Sequence, residues 1–184
     1  MSRAKLLVLA GPTAVGKGTV ARYIIENHPE IVLSVSATTR SPRPGEENGV
    51  AYYFLTDEEF DGLVQSGQML EYAVVHGKHR YGTPRGPVEA AINAGHPVLL
   101  EIDIQGARQV KEAMPEAVTV FLAPPSWDEL VRRLEGRGTE TEEEMARRLA
   151  TAETELASQG EFDHVIVNQE VAVCAEAVVE LMKS

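Results

Sequence analysis

Gly11-Pro12-Thr13-Ala14-Val15-Gly16-Lys17 sets two glycines with four residues between them and a lysine directly after the second. The segment leaves the apolar run Leu6–Ala10 and enters Gly18–Asn27, which reads as a helix stopped by Pro29. A buried strand that turns into a helix through glycines commits the chain to an α/β layer arrangement. The turn also has a chemistry. Glycines let backbone wrap closely around anionic oxygens, and successive N–H groups with the helix N-terminus then face the anion. Lys17 adds a mobile positive charge that can follow a phosphoryl group. Gly11, Pro12, Thr13, Ala14, Val15, Gly16, Lys17, Gly18 and Thr19 are therefore the expected phosphate cradle.

The remaining chain alternates strands and helices in a way that predicts a mostly parallel sheet. Strands are expected at Lys5–Ala10, Ile31–Ser36, Val50–Leu55, Met69–Val75, Arg80–Gly82, Val98–Asp103, Val118–Ala123 and Phe162–Val167. Capping boxes at Thr56–Glu59, Ser126–Glu129 and Thr141–Glu144 open three helices, which end near Gly67, Gly136 and Ala157. Thr83-Pro84 reads as an N-cap followed by proline in the first helical position, with Gly95 closing that helix. Helices also follow Asp103 to about Met114 and run from Glu170 to Met182. Residues 36–88 interrupt the alternation with consecutive β segments and form an insertion on the core. No linker-like stretch marks a second independent domain, so 1–184 is read as one domain.

Charge limits the partners. The formal net charge is −11, which repels nucleic-acid polymers and anionic membranes. The longest apolar run is too short to span a bilayer, and the N-terminus lacks a signal-peptide pattern, so a cytoplasmic location is expected. The one cysteine, Cys174, falls in an apolar-periodic helix and reads as packing. His76 and His79 flank a turn, but no cysteine or further close histidine completes a zinc site. Twelve of the seventeen basic residues are arginine, with groups at Arg40/Arg43, Arg132/Arg133/Arg137 and Arg147/Arg148. Arginine suits forked contacts with phosphate, so a small phosphorylated partner fits where a polyanion does not.

Ser34-Val35-Ser36-Ala37-Thr38-Thr39-Arg40-Ser41-Pro42-Arg43-Pro44-Gly45-Glu46, followed by Asn48-Gly49 and Tyr52-Tyr53-Phe54, closely resembles the signature of guanylate kinases. Leu134–Thr141 and Val165-Ile166-Val167-Asn168 are similar to further segments of that family, so the resemblance covers roughly residues 4–182. It implies a P-loop NTPase-type parallel sheet flanked by helices. It also implies a small β-containing GMP-binding insertion at 36–88 and a helical lid at 126–158. The implied reaction moves the γ-phosphoryl group of ATP to GMP with Mg²⁺, with dGMP left open as an acceptor and no obligatory protein partner. Gly18 stands where most P-loops carry the Ser or Thr that ligates Mg²⁺. Gly-Lys-Gly-Thr looks like adenylate kinases instead. The metal is then expected on nucleotide oxygens and waters, with Asp103 as a further outer contact and no direct protein ligand.

The resemblance assigns Arg40, Arg43, Tyr52 and Tyr81 to the GMP phosphate and Glu71, Ser36 and Thr83 to the guanine. Guanine presents N1–H and N2–H₂ as adjacent donors, which one carboxylate accepts together; adenine would leave a buried Glu71 unpaired. Asp103 is implied near the transfer centre, holding GMP and arginines, with Glu101 supporting it. Lys17, Arg40, Asp103, Arg137 and Arg148 match catalytic positions. Arg133 and Arg137 contact the donor side, and Asn168 lies beside the adenine. Arg132 and Arg147 are expected to pair with the acidic run Glu140–Glu144. A phosphopeptide-binding module of guanylate-kinase-like shape is the alternative from another class. Such modules typically lose the donor loop or lid arginines, whereas Lys17, Arg137 and Arg148 are present here. A GTP-hydrolysing switch is disfavoured by Gly18.

Overall fold

The computed structural model describes residues 4–136, 138 and 140–184. Its main sheet has five parallel strands: β1 (Leu6–Ala10), β2 (Val32–Leu33), β7 (Val98–Glu101), β8 (Val118–Ala123) and β9 (His164–Val167), in the order β2-β7-β1-β8-β9. β1 is central because both of its faces are apolar. Leu6, Val8 and Ala10 point into one core with Val98, Leu100, Val110 and Phe121. Leu7 and Leu9 point into the other with Val20, Ile24, Leu99, Leu122 and Val178. Helices α3 (Arg85–Asn93) and α4 (Ile104–Ala113) close the first layer, and α1 (Lys17–Asn27) and α7 (Val171–Lys183) the second. Strands apolar on both faces belong in a helix-covered parallel sheet. Cys174 is buried in the second layer, and burial pushes its thiol up to about 11.

A second sheet of four strands is built from β3 (Ala37–Thr38), β4 (Tyr53–Phe54), β5 (Met69–Val75) and β6 (His79–Pro84), in the order β4-β3-β6-β5. Helix α2 (Asp57–Gln65) packs Phe60 beneath it, and the Arg80 guanidinium lies 4.6 Å over that ring. At the other end of the chain, α5 (Trp127–Glu135) and α6 (Glu142–Ala157) pack through Leu130, Leu134 and Ala152. Among the described residues no helix is long and apolar enough to cross a membrane.

Several expected boundaries move, each for a local reason. The expected strand Ile31–Ser36 stops at Leu33, and the next paired residues, Ala37–Thr38, join the other sheet. Val50 and Ala51 fold into a turn whose N–H groups both reach the Glu47 carbonyl, leaving only Tyr53–Phe54 of the expected strand. Strand β7 ends at Glu101, and Asp103 caps α4 through the Gly106 N–H at 2.7 Å. The boxes at Thr56 and Thr141 close reciprocally. Ser126 closes only half of its box, because Glu129 turns to Arg132 and Arg133. Thr83 is not an N-cap: it pairs with Glu71 across β5 and β6, and Pro84 takes the capping position.

Leu7 is fully buried between β7 and β8. Leu7→Ala should cost about 2–5 kcal/mol of stability. Urea unfolding should show this as a lower midpoint with an unchanged slope.

Candidate functional site

The loop between β1 and α1 runs against neighbouring backbone. A Cβ on Gly11 would lie 2.5 Å from the Leu122 carbonyl oxygen, so only glycine fits. Gly16 takes φ 95°, a left-handed conformation, and a Cβ there would meet Asn168 Nδ2 at 2.8 Å. Pro12 and Val15 are buried beneath the loop, while Thr13, Ala14, Gly18 and Thr19 are exposed. Val15 anchors the loop from below: its carbonyl accepts Asn168 Nδ2 at 2.8 Å and Arg133 Nη1 at 3.2 Å. Asn168 is 3% exposed, and its backbone N–H reaches Ala123 at 2.8 Å. Its amide therefore supports the loop from below.

Lys17 Nζ donates to the Gly11 carbonyl at 2.6 Å. Burial lowers its pKa, against the opposing pull of Glu155, Glu101 and Asp103. Three carboxylates from three elements thus face one ammonium. Glu101 Oε1 lies 3.8 Å from where a Cβ on Gly18 would be, beside the place of the missing hydroxyl. Glu155 went unnoticed in the sequence because it stands 138 positions from Lys17 on a helix of mixed charge. Burial raises its pKa, and its Oε1 is buried without a hydrogen-bond partner among the described residues.

On the second sheet, Glu71 is 8% exposed on β5 and accepts the Thr83 hydroxyl at 2.8 Å. Burial raises its pKa, Thr83 opposes the rise, and the Asp103 charge adds to it. The Asp103 charge thus acts on both Glu71 and Lys17. Ser36 is half-buried where the chain passes between the sheets, and its carbonyl accepts the Tyr53 N–H at 2.8 Å.

Arg40 is held by Glu46 through two bonds, Nη1 to Oε1 at 2.9 Å and Nη2 to Oε2 at 3.0 Å, while Nη1 also reaches the Ser41 carbonyl. Its guanidinium stands 5.3 Å over the Tyr52 ring, and Tyr52 meets Tyr81 edge-on at 5.8 Å. The Arg40 bond draws the Glu46 carboxyl down to about 2. Glu46 also accepts the Arg43 backbone N–H at 2.7 Å, which leaves the Arg43 side chain exposed. Glu46 was visible within the motif, but only the fold shows it organising both arginines.

The arginines of α5 and α6 do not pair as expected. Arg132 bonds Glu129 at 2.8 Å, one helical turn away, rather than the run Glu140–Glu144. Arg148 is the residue that bonds Glu140, at 2.5 Å. Arg133, Arg147 and Arg148 line a cleft of about 440 Å³ with Thr13 and Ala14. Arg137 lies outside the described residues.

Glu71 offers a pH test. Its carboxyl binds a proton more tightly in the native state than in the unfolded chain, whose value is near 4.5. Stability therefore falls as pH rises from there through the native value. Glu71→Gln should be more stable than the parent at neutral pH, and the gap should close near pH 4, both measured by thermal melting.

The family model for guanylate kinase matches residues 3–184. A guanylate kinase of Leifsonia xyli subsp. xyli is 63% identical over 180 residues, 98% of this chain and 71% of that protein. One from Streptomyces coelicolor is 58% identical over 180 residues, 98% of this chain and 91% of that one. The crystal structure of guanylate kinase from Anaplasma phagocytophilum superposes with a TM-score of 0.73 at 36% identity, covering 100% of this chain and 86% of that one. A glycine loop from strand to helix, a second sheet carrying a buried carboxylate and likeness over nearly the whole chain at this identity agree: the chain belongs to the guanylate kinase family.

Proposed function

We propose that this enzyme moves the γ-phosphoryl group of ATP onto GMP, with the donor on the Gly11–Thr19 loop and the guanine on Glu71, Ser36 and Thr83. The observation that carries the reading is the packing at Gly106, where a Cβ would lie 3.1 Å from both Asp103 Oδ1 and Glu71 Oε2, which brings the second sheet's buried carboxylate to the N-terminus of α4. One cleft thus holds a phosphate cradle on one wall and a base-reading carboxylate on the other. The second sheet, within 36–88, serves as the acceptor module, and α5 with α6, within 126–158, as the lid.

Roles follow from the donors each group keeps. Glu46 and Ser41 take three of the five Arg40 N–H groups, so Arg40 retains donors for a phosphate while Glu46 fixes its plane. Arg43 adds a mobile second fork, with the Tyr52 and Tyr81 hydroxyls beside it. Lys17 follows the transferring group, and Arg148 and Arg137 close over it, with Arg148 exchanging Glu140 for phosphate oxygens. Arg133 and Asn168 act on the donor side by holding the loop at Val15.

Glu101 beside Gly18, and the Asp103 oxygen not used in capping, suit a hydrated Mg²⁺ carried by the nucleotide. When bound, that ion supplies charge neutralisation at the phosphates. No side chain is needed as general base. The nucleophile is a GMP phosphate oxygen, already ionised because a phosphate monoester's second pKa is about 6.

The test is ADP release with GMP, AMP, CMP and UMP as acceptors. GMP should be strongly preferred; phosphopeptide binding without GMP turnover would favour the non-catalytic alternative. Lys17→Met should lower kcat by about 10²-fold or more. Because the ammonium is disfavoured by burial, the melting temperature should drop by no more than about 4 °C. Arg43→Ala should raise the GMP KM by about 10- to 100-fold with kcat little changed, and Arg148→Ala should do the reverse.

A further inference from the structure

We propose that Gln109 is a positioning residue for base selection, fastening α4 to β5 so that the Glu71 carboxylate stays fixed against Asp103. The inference rests on the reading of Glu71 given above. β5 is the outer strand of the four-stranded sheet, so one row of its backbone groups has no strand partner. At Tyr72 the Gln109 amide replaces that partner. The Tyr72 N–H donates to Gln109 Oε1 at 3.2 Å, and Gln109 Nε2 donates to the Tyr72 carbonyl at 3.2 Å. A side-chain amide has one acceptor and one donor group, the pairing that a neighbouring strand would offer. Two bonds to one residue hold the strand against sliding along the helix.

Tyr72 directly follows Glu71, so fixing its backbone fixes the site from which the carboxylate projects. Helix geometry aligns the rest. Asp103, Gly106 and Gln109 recur every third residue and share a face of α4. Gly106 leaves room for the carboxylate: a Cβ there would meet Glu71 Oε2 at 3.1 Å and Asp103 Oδ1 at 3.1 Å. The Glu71 carboxylate thus rests on the first turn of α4, and Gln109, one turn on, grips the strand that carries it. Burial disfavours the Glu71 charge, so a loosened strand would let the carboxylate move toward water and lose its aim at the base.

Gln109→Ala and Gln109→Glu in the full chain test this, with GMP and AMP as acceptors; the glutamate cannot donate to the Tyr72 carbonyl. Both variants should raise the GMP KM and lower the GMP-to-AMP ratio of kcat/KM by roughly tenfold. The kcat at saturating GMP and the ATP KM should stay as in the parent. In a Glu71→Gln background, Gln109→Ala should lower the ratio no further, because Gln109 acts through that carboxylate. A reduced melting temperature with an unchanged ratio would make Gln109 a plain brace and overturn the proposal. A full further loss in the Glu71→Gln background would also overturn it. If Glu71→Gln alone leaves the ratio unchanged, the reading of Glu71 fails, and the proposal with it. If Glu71→Gln lowers the ratio and Gln109→Ala does not, the proposal alone fails.

Discussion

The rest of the molecule depends on how closely the chain leaves its central strand. With Gly11 against the Leu122 carbonyl and Gly16 against the Asn168 amide, the loop passes where no side chain fits. That closeness turns the start of α1 into the cleft and lets Lys17 reach back to the Gly11 carbonyl. It also needs support from distant sequence. Val15 is gripped by Asn168 after β9 and by Arg133 on α5, so the cradle, the sheet edge and the α5–α6 pair bear on one carbonyl oxygen. A loop held from below by two side chains keeps one backbone path.

Around the loop the chain keeps charges where folding alone would not put them. Lys17, Glu71 and Glu155 are all shifted by burial toward their neutral forms. Among the described residues none is neutralised by a close ion pair, whereas Arg40, Arg80 and Arg148 each find a carboxylate. Departures from local consistency of this kind collect at functional sites. Arg80 ties α2 to β6 through Asp57 and Asp61, whereas the nearest bonds of Lys17 and Glu71 go to the Gly11 carbonyl and the Thr83 hydroxyl.

The α/β layering was legible because β1 and most of β8 are apolar on both faces and the glycine loop marks a buried strand turning into a helix; the strand order was not. The second sheet was legible only as an interruption. Its strands β3 and β4 are two residues long, and Val50, β-branched yet 69% exposed, belongs to a turn set by the Glu47 carbonyl. Thr83 shows the limit of local reading. Before proline it resembles a cap, but cross-strand register with Glu71 claims its hydroxyl. Arg132, expected on the run Glu140–Glu144, bonds Glu129 because i,i+3 spacing decides it, and Glu140 bonds Arg148 instead. Glu155, Gly106 and Gln109 carry no sequence signal, since their meaning depends on contacts across long separations.

The central claim is that one cleft holds two nucleotides with their phosphates meeting between Lys17 and Asp103. The most direct measurement is calorimetric titration with adenosine and guanosine joined 5′ to 5′ through a pentaphosphate. One molecule should bind per chain, in competition with both ATP and GMP, and roughly 10²-fold or more tighter than either alone. Binding no tighter than that of ATP, with GMP still able to bind alongside, would place the two sites apart and contradict it.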